Sequence, residues 1–582
     1  MKSVVLCEKP SVARDIARNL GAKNNKNGCL EGDKYVVTWA LGHLITLQTP
    51  DKYKEFNNVN LENLPMIPKF MKTEIIKKTF KQYKVVENAL NRKDVNEVII
   101  ATDAGREGEL VARYIIDKAK CNKNVKRLWI SSVTDKAIKD GFRNLKDGKE
   151  YLGLYHSGIA RANADWLVGI NASRALTLKY NASLNCGRVQ TPTLQMVFER
   201  EEKIKQFKPK DYYTFEAQID GVKFSCGNSE FNLEKAEQFI KKNINKEIKF
   251  NEVQKKAKTS SAKPLYNLTD IQQTASALFG MSPKQTLNIV QSLYERHKVL
   301  TYPRTDSRYL TSDMKNTLKD RIQAIGGDFR ETTAKLLKVK DYNTKKIINN
   351  AKVSDHHAII PTISSLQKDL SKLPESEAKV YRLITNKLHA SVGYPLVENT
   401  TKIVAEFDGF EFSSSGKVII DEGFTKYLKE YKTKKTEDTL LPGVKVGEVF
   451  EIRNKEVKEK YTSPPKHFTE DTLLKAMEVA GNDALEKGIE VERKGLGTPA
   501  TRAGIIENLI FKGFIERDKK NLIATNKGIS LVTIVSDTLK SAETTAEWEM
   551  KLSDIANGKA NKDDFLKCIE NEIRETVGIY RK

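Results

Sequence analysis

Two strand-like stretches with a helical block between them constrain this chain more than any other feature. Tyr212-Tyr213-Thr214-Phe215-Glu216-Ala217-Gln218-Ile219 and Thr401-Lys402-Ile403-Val404-Ala405-Glu406-Phe407 alternate as strands with one exposed face do. Residues from about 266 to 393 read instead as helix. The order predicts a β-rich unit interrupted by an inserted helical domain. At 582 residues the chain is also too long for one ordinary core and suggests roughly three to five folded units. Two polar, basic runs, Gln254 to Ser261 and Asn454 to Lys460, bracket the arrangement and read as linkers or solvated faces.

The N-terminal region has a different rhythm. Ser3 to Cys7 is a short apolar, β-rich run, followed by a helical pattern through Val12, Ile16 and Leu20 that stops at Gly21. Glu97 to Ala101 repeats this, with Leu110, Val111, Tyr114 and Ile115 on one helical face after it. Two strand-then-helix units predict a mostly parallel sheet with ligands at the carboxyl ends of its strands, where Glu8 and Asp103 stand. From about Leu152 to Phe207 the pattern is helical and contains the glycine turn Asn185-Cys186-Gly187-Arg188.

The formal charge of +23, from 99 Lys and Arg against 76 Asp and Glu, points to a large anionic partner, nucleic acid before membrane. No run of about 18 apolar residues and no long apolar leader occurs, so a soluble, unexported protein is expected. The six cysteines are scattered without a Cys-x-x-Cys pair, which supports neither a disulfide scaffold nor a zinc ribbon.

Tyr302-Pro303-Arg304 sets a potential nucleophile two residues from a permanent cation. The proline biases Tyr302 toward extended geometry, in which residues i and i+2 project to one side. A phenol with a pKa of about 10 is a poor nucleophile, and arginine both forks onto phosphate and favours the phenolate. Alone, the run is ordinarily a strand-to-turn junction with a surface arginine. Asp103-Ala104-Gly105-Arg106-Glu107-Gly108-Glu109 is likewise double-edged. With Glu8, its Asp103 and Glu107 carboxylates can hold a hard cation such as Mg²⁺, or it is an acidic helix start needing no metal. Lys9 beside it can contact phosphate or protonate a leaving oxygen.

Taken together these residues resemble the type IA DNA topoisomerases, and within them the bacterial topoisomerase III group. Glu8-Lys9-Pro10-Ser11 and Asp103 to Glu109 are similar to a TOPRIM half-site, and Tyr302 to Ser307 matches the family's active-tyrosine segment. Gly42-His43-Leu44, Ala160 to Gly169, Gly187 to Pro192, His356 to Thr362 and Gly497 to Arg502 match in order along nearly the whole chain. The resemblance implies a multidomain α/β plus mainly α fold with a β-rich arch, closed into a torus. Its parts would be a TOPRIM domain at 1–150, a helical DNA-binding domain from 151–210 with 465–582, the arch or gate from 211–265 with 394–464, and a winged-helix-like domain at 266–393 carrying Tyr302.

By the same resemblance Tyr302 attacks a phosphate of single-stranded DNA, forming a 5'-phosphotyrosine and releasing a 3'-hydroxyl. It also implies strand passage and religation, which relax negative supercoils and decatenate DNA. No ATP is implied, and no P-loop pattern occurs. Arg304 is implied on the scissile phosphate and Lys9 near the departing oxygen. Glu8, Asp103 and Glu107 are implied around Mg²⁺, with Arg106 in support and His356 assisting at the phosphate. His43, Arg161, Asp165, Arg174, Asn185, Cys186, Gly187, Arg188, Val189, Gln190 and Arg502 are implied to position DNA. The partners implied are single-stranded and negatively supercoiled DNA, with a helicase or single-strand-binding protein as candidates. A cytoplasmic, nucleoid-associated monomer is expected. Gly105 departs from the family, standing where many relatives carry a second aspartate, and the zinc modules of some relatives are missing. Competing functions are a TOPRIM primase or nuclease, and a non-catalytic clamp on single-stranded DNA.

Overall fold

The computed structural model describes residues 1–581 apart from 58, 131–132, 220–221, 227–230, 242–246, 326–329, 339–343, 354–355, 364–368, 408, 432–440, 442 and 482–494. Near the N-terminus, Lys2–Cys7 runs parallel between Tyr35–Trp39 and Val95–Ala101, and Asn124–Arg127 extends the parallel set. Alternate residues bury on opposite faces. Val4, Leu6, Val98 and Ile100 pack with Val86, Leu110 and Ile115, while Val5, Cys7, Ile99 and Ala101 pack with Ala13, Ile16 and Ile138. Helices thus cover both sides, as a parallel sheet requires. Leu6 pairs with Ile100 and Cys7 with Ala101, so Glu8 and Asp103 emerge together at one sheet edge.

Six antiparallel strands close a barrel in the order Asp211–Ile219, Val222–Cys226, Phe410–Asp421, Leu396–Phe407, Glu247–Ser260 and Val449–Tyr461. Its interior is aromatic: Phe215 stacks on Phe239 at 4.2 Å, and Phe224, Phe250 and Phe412 fill the rest. Both basic runs expected as linkers or solvated faces lie in strands of this barrel. Their lysines obscure the pattern, because Lys255, Lys256 and Lys258 are all exposed where the strand projects beyond the core.

Between the third and fourth chain segments of the barrel, helices Leu268–Phe279, Pro283–Glu295 and Glu375–Val392 pack around Leu287, Val290, Leu293, Val380 and Ile384. The Pro283 helix begins with a capping box, Ser282 with Gln285. A separate core joins the 29-residue helix Leu152–Tyr180 to Ala542–Ala556 and Lys562–Arg581, through Leu167, Leu176, Trp548, Leu552, Ile569 and Val577. Among the described residues no helix is long and apolar enough to cross a membrane.

Candidate active site

Asp103 is held by its backbone before its carboxylate does anything. The helix Arg106–Lys118 starts so close that a Cβ on Gly108 would lie 2.1 Å from the Asp103 carbonyl oxygen, so only glycine fits there. Arg127, fully buried, donates to the carbonyls of Ile100, Thr102, Asp103 and Leu128 and pairs with Glu109 at 2.9 Å. Glu109 is itself fully buried and also meets Arg113 at 3.1 Å. Neither Arg127 nor Glu109 was marked by the sequence as a site residue. A buried arginine reads in sequence as any surface cation does.

Tyr302 comes to this edge from the inserted helical block. The chain through Leu300 and Thr301 bridges antiparallel to Ile360 and Pro361, and Thr305 Oγ1 donates to the His356 carbonyl at 2.7 Å. These bonds hold His356 beside Tyr302, with ring centroids 4.3 Å apart. Lys9 Nζ lies 3.7 Å from the Tyr302 ring centroid and 2.5 Å from Asp103 Oδ2. His356 Nε2 is 3.2 Å from the same carboxylate oxygen. Tyr294 packs edge-on against Tyr302 at 5.4 Å and reaches Ser11 Oγ at 3.4 Å. Two units of the chain therefore meet across one phenol.

Arg304 departs from the simple extended picture. The chain bends at Pro303, leaving Tyr302 half-buried and Arg304 exposed, with Nη2 donating to Gln291 Oε1 at 3.0 Å. Gln291 and Tyr294 are one turn apart on the Pro283–Glu295 helix, so both residues still lie along one helix face.

The electrostatics are those of charges removed from water. Burial pushes the Glu8 carboxyl up to about 6, with Asp103 adding to the rise and Lys9 opposing it. Burial would raise Asp103 too, but His356 and Lys9 outweigh it and hold that carboxyl well below its usual range. Burial opposes the Lys9 ammonium, yet Asp103, Glu8 and Tyr302 raise its pKa above the ordinary lysine value. Burial also raises the Tyr302 phenol, against the lowering pull of Lys9. His357, pushed down to about 4 by burial, faces the Ala358 carbonyl instead of the phenol.

The donors at this edge suit a hard cation. Two carboxylates, one of them burdened by burial beside the other, offer oxygen ligands of the kind Mg²⁺ takes together with waters. Among the described residues no group of three or more His, Cys, Asp and Glu side chains could hold a metal ion. Of the three carboxylates expected around the cation, Asp103 is engaged by Lys9 and His356, Glu8 stands beside it at the sheet edge, and Glu107 lies in the first turn of the following helix.

The expected DNA-positioning residues separate into two groups. Arg188 is 7% exposed and pairs with Asp165 at 2.9 Å and Glu549 at 3.3 Å; Arg161 lies within 4 Å of the same two carboxylates. Glu549 also takes Arg106 at 3.2 Å, tying the parallel-sheet unit to the helical one. Arg502 is buried, donating to the Leu496 carbonyl and, at 3.1 Å, to Thr269 of the inserted block. Arg188 and Arg502, both expected to position DNA, are thus buried among acceptors of their own chain. Cys186 is buried, and its backbone bonds to Ser173. Gly187 N–H donates to Thr191 Oγ1, and Val189 packs against the helical core. His43 and Arg174 are exposed. Gln190 is half-buried, accepting from Asn508 and Lys512 and donating to the Asn185 carbonyl.

A parallel sheet with an acidic edge, closed against a tyrosine from an inserted helical block, defines the class of protein. Residues 149–567 match the family model described as DNA topoisomerase and residues 3–133 that of the Toprim domain. The chain belongs to the type IA DNA topoisomerase family. It is 47% identical over 592 residues to DNA topoisomerase 3 of Bacillus licheniformis and 47% identical over 593 residues to that of Bacillus subtilis. Each alignment covers 99% of this chain and 81% of the relative. Its fold is similar to that of full-length topoisomerase I from Thermotoga maritima, with a TM-score of 0.72 at 23% identity, covering 99% of this chain and 90% of the other.

Proposed function

We propose that the chain cuts one strand of DNA through Tyr302, lets another strand pass and reseals the cut, relaxing negative supercoils and unlinking joined DNA without ATP. The observation that carries this is the phenol of Tyr302 packed beneath Lys9 and beside His356, at the edge bearing Glu8 and Asp103. Tyr302 Oη attacks the phosphorus of a single-stranded segment, and the bond from phosphorus to the 3' oxygen breaks. His356 takes the phenolic proton, and the ammonium of Lys9 gives one to the departing 3' oxygen. The phosphodiester survives as a 5'-phosphotyrosine, so the 3'-hydroxyl can restore it by the reverse exchange.

Burial keeps the phenol protonated while the site is closed on itself. An entering phosphate draws Arg304 from Gln291 and supplies a counter-charge for Lys9. Glu8 and Asp103 would hold Mg²⁺, which orients and neutralises phosphate when bound. His43, Arg174 and Gln190 meet the strand, while Arg161, Asp165 and Arg188 keep their helices in register. Relaxation of negatively supercoiled plasmid and separation of gapped catenanes test the reading. Both proceed with Mg²⁺ in the wild type and fall to background in Tyr302→Phe; equal activity in that variant overturns it.

A further inference from the structure

Phe511 is the most exposed large apolar side chain among the described residues, at 89%. It ends the helix Pro499–Phe511, whose inner face buries Arg502, Ala503, Ile506 and Leu509. The opposite face carries Thr501, Gly504, Asn508 and Phe511 at spacings of three and four, which puts them in one line. A Cβ on Gly504 would meet nothing within 4 Å, so this line is open to solvent. Beside it Asn508 Nδ2 and Lys512 Nζ converge on Gln190 Oε1 at 3.0 and 3.3 Å, and Lys527 Nζ reaches the Lys512 carbonyl at 2.8 Å. Asn508 stands one turn before Phe511 on the same face and Lys512 follows it, so an amide and two lysines gather at the end of the helix that carries the exposed ring.

The same helix touches the tyrosine-bearing block at its other end, through Arg502 and Thr269. From Arg502 to Phe511 the rise is about 14 Å along the axis. A strand laid along the open face of this helix would meet small side chains, then an amide, then an exposed aromatic ring at the end where Lys512 and Lys527 gather. That sequence of groups suits single-stranded nucleic acid, whose bases stack on aromatic rings while cations follow the phosphates. Duplex DNA offers no free base face to such a ring.

We propose that Phe511 is a stacking platform for one unpaired base of the DNA strand held for cleavage, with Lys512 on the adjoining phosphate. The proposal rests on the reading of this protein as a single-strand-cleaving topoisomerase, and extends it to a residue that no motif marks. Its ring is outside the core, so substitution leaves the fold intact.

The test compares wild type, Phe511→Ala, Phe511→Trp and Lys512→Ala for binding a fluorescein-labelled oligothymidine across a salt series, with covalent adduct formation measured in parallel. Phe511→Ala weakens binding about 5- to 100-fold with an unchanged salt slope. Lys512→Ala flattens the slope by about 0.7 per lost phosphate contact. Phe511→Trp keeps the affinity, and its indole emission changes on DNA addition. Equal affinity of Phe511→Ala and wild type overturns the platform while leaving the topoisomerase reading intact if the wild-type adduct forms. Failure of the wild type both to bind the oligonucleotide and to form an adduct overturns both.

Discussion

Glu8 and Asp103 are neighbouring carboxylates driven in opposite directions, and the difference has a pH signature. For Glu8 the folded state holds its proton more tightly than the unfolded chain does, since burial moves it from 4.5 to about 6. The stability this group provides is complete below its ordinary value and is lost as pH rises through about 6, a loss of about 2 kcal/mol. Glu8→Gln removes that loss, so the metal-free variant melts at a higher temperature than wild type at pH 7.5, while its Mg²⁺-dependent relaxation falls. Scanning calorimetry with and without Mg²⁺ measures the first part. The proton also competes with the cation, so the Mg²⁺ concentration giving half-maximal relaxation increases as pH drops through about 6. Arg127 carries a different risk. Its replacement by Leu strands Glu109 without its closest cation in the interior, costing about 3–5 kcal/mol in a denaturant melt. Residues at strand ends could be picked out from the sequence because chemistry collects there. Arg127 and Glu549 could not, since their partners are distant in sequence and only the fold joins them.

At the level of elements, two seams hold the tyrosine-bearing block in place. One is the phenol site itself, and the other lies against the helix Glu470–Val479. There Arg308 forks onto Asp270 at 2.6 and 2.8 Å and reaches Glu478 at 2.9 Å, beside the Arg502 contact to Thr269. If these blocks part for strand passage, this seam must break. Glu478→Gln then destabilises the closed form by up to about 1 kcal/mol, since the pair is partly solvated, and raises the open-to-closed ratio about fivefold. Fluorescence transfer between labels on the two blocks reads that ratio in the covalent complex; an unchanged ratio contradicts the prediction. Periodicity foretold the central strands and the long helices, where one face is apolar and the other wet. It did not foretell the basic ends of Glu247–Ser260 and Val449–Tyr461 as strands, because Lys255 to Thr259 are exposed on both faces and in the second run Val457 alone among charged neighbours packs on the barrel core.

Across the whole molecule, chemistry is split between units that the chain order keeps apart. The acidic edge comes from the first strands, the tyrosine from a block inserted in the barrel, and Glu549 from near the C-terminal end joins the sheet unit to the helical one. Such a division lets a cut be made when the units meet and lets DNA pass when they part, provided the cut end stays attached. The net charge of +23 draws the polyanion to the surface but says nothing about which strand is cut. Attachment is therefore the central claim. Single-stranded DNA labelled at its 3' end, incubated with the protein and Mg²⁺ and then denatured, should leave its label on one peptide, with the 5' phosphate of that fragment on Tyr302. Label on another residue, or a covalent link through the 3' phosphate, would contradict it.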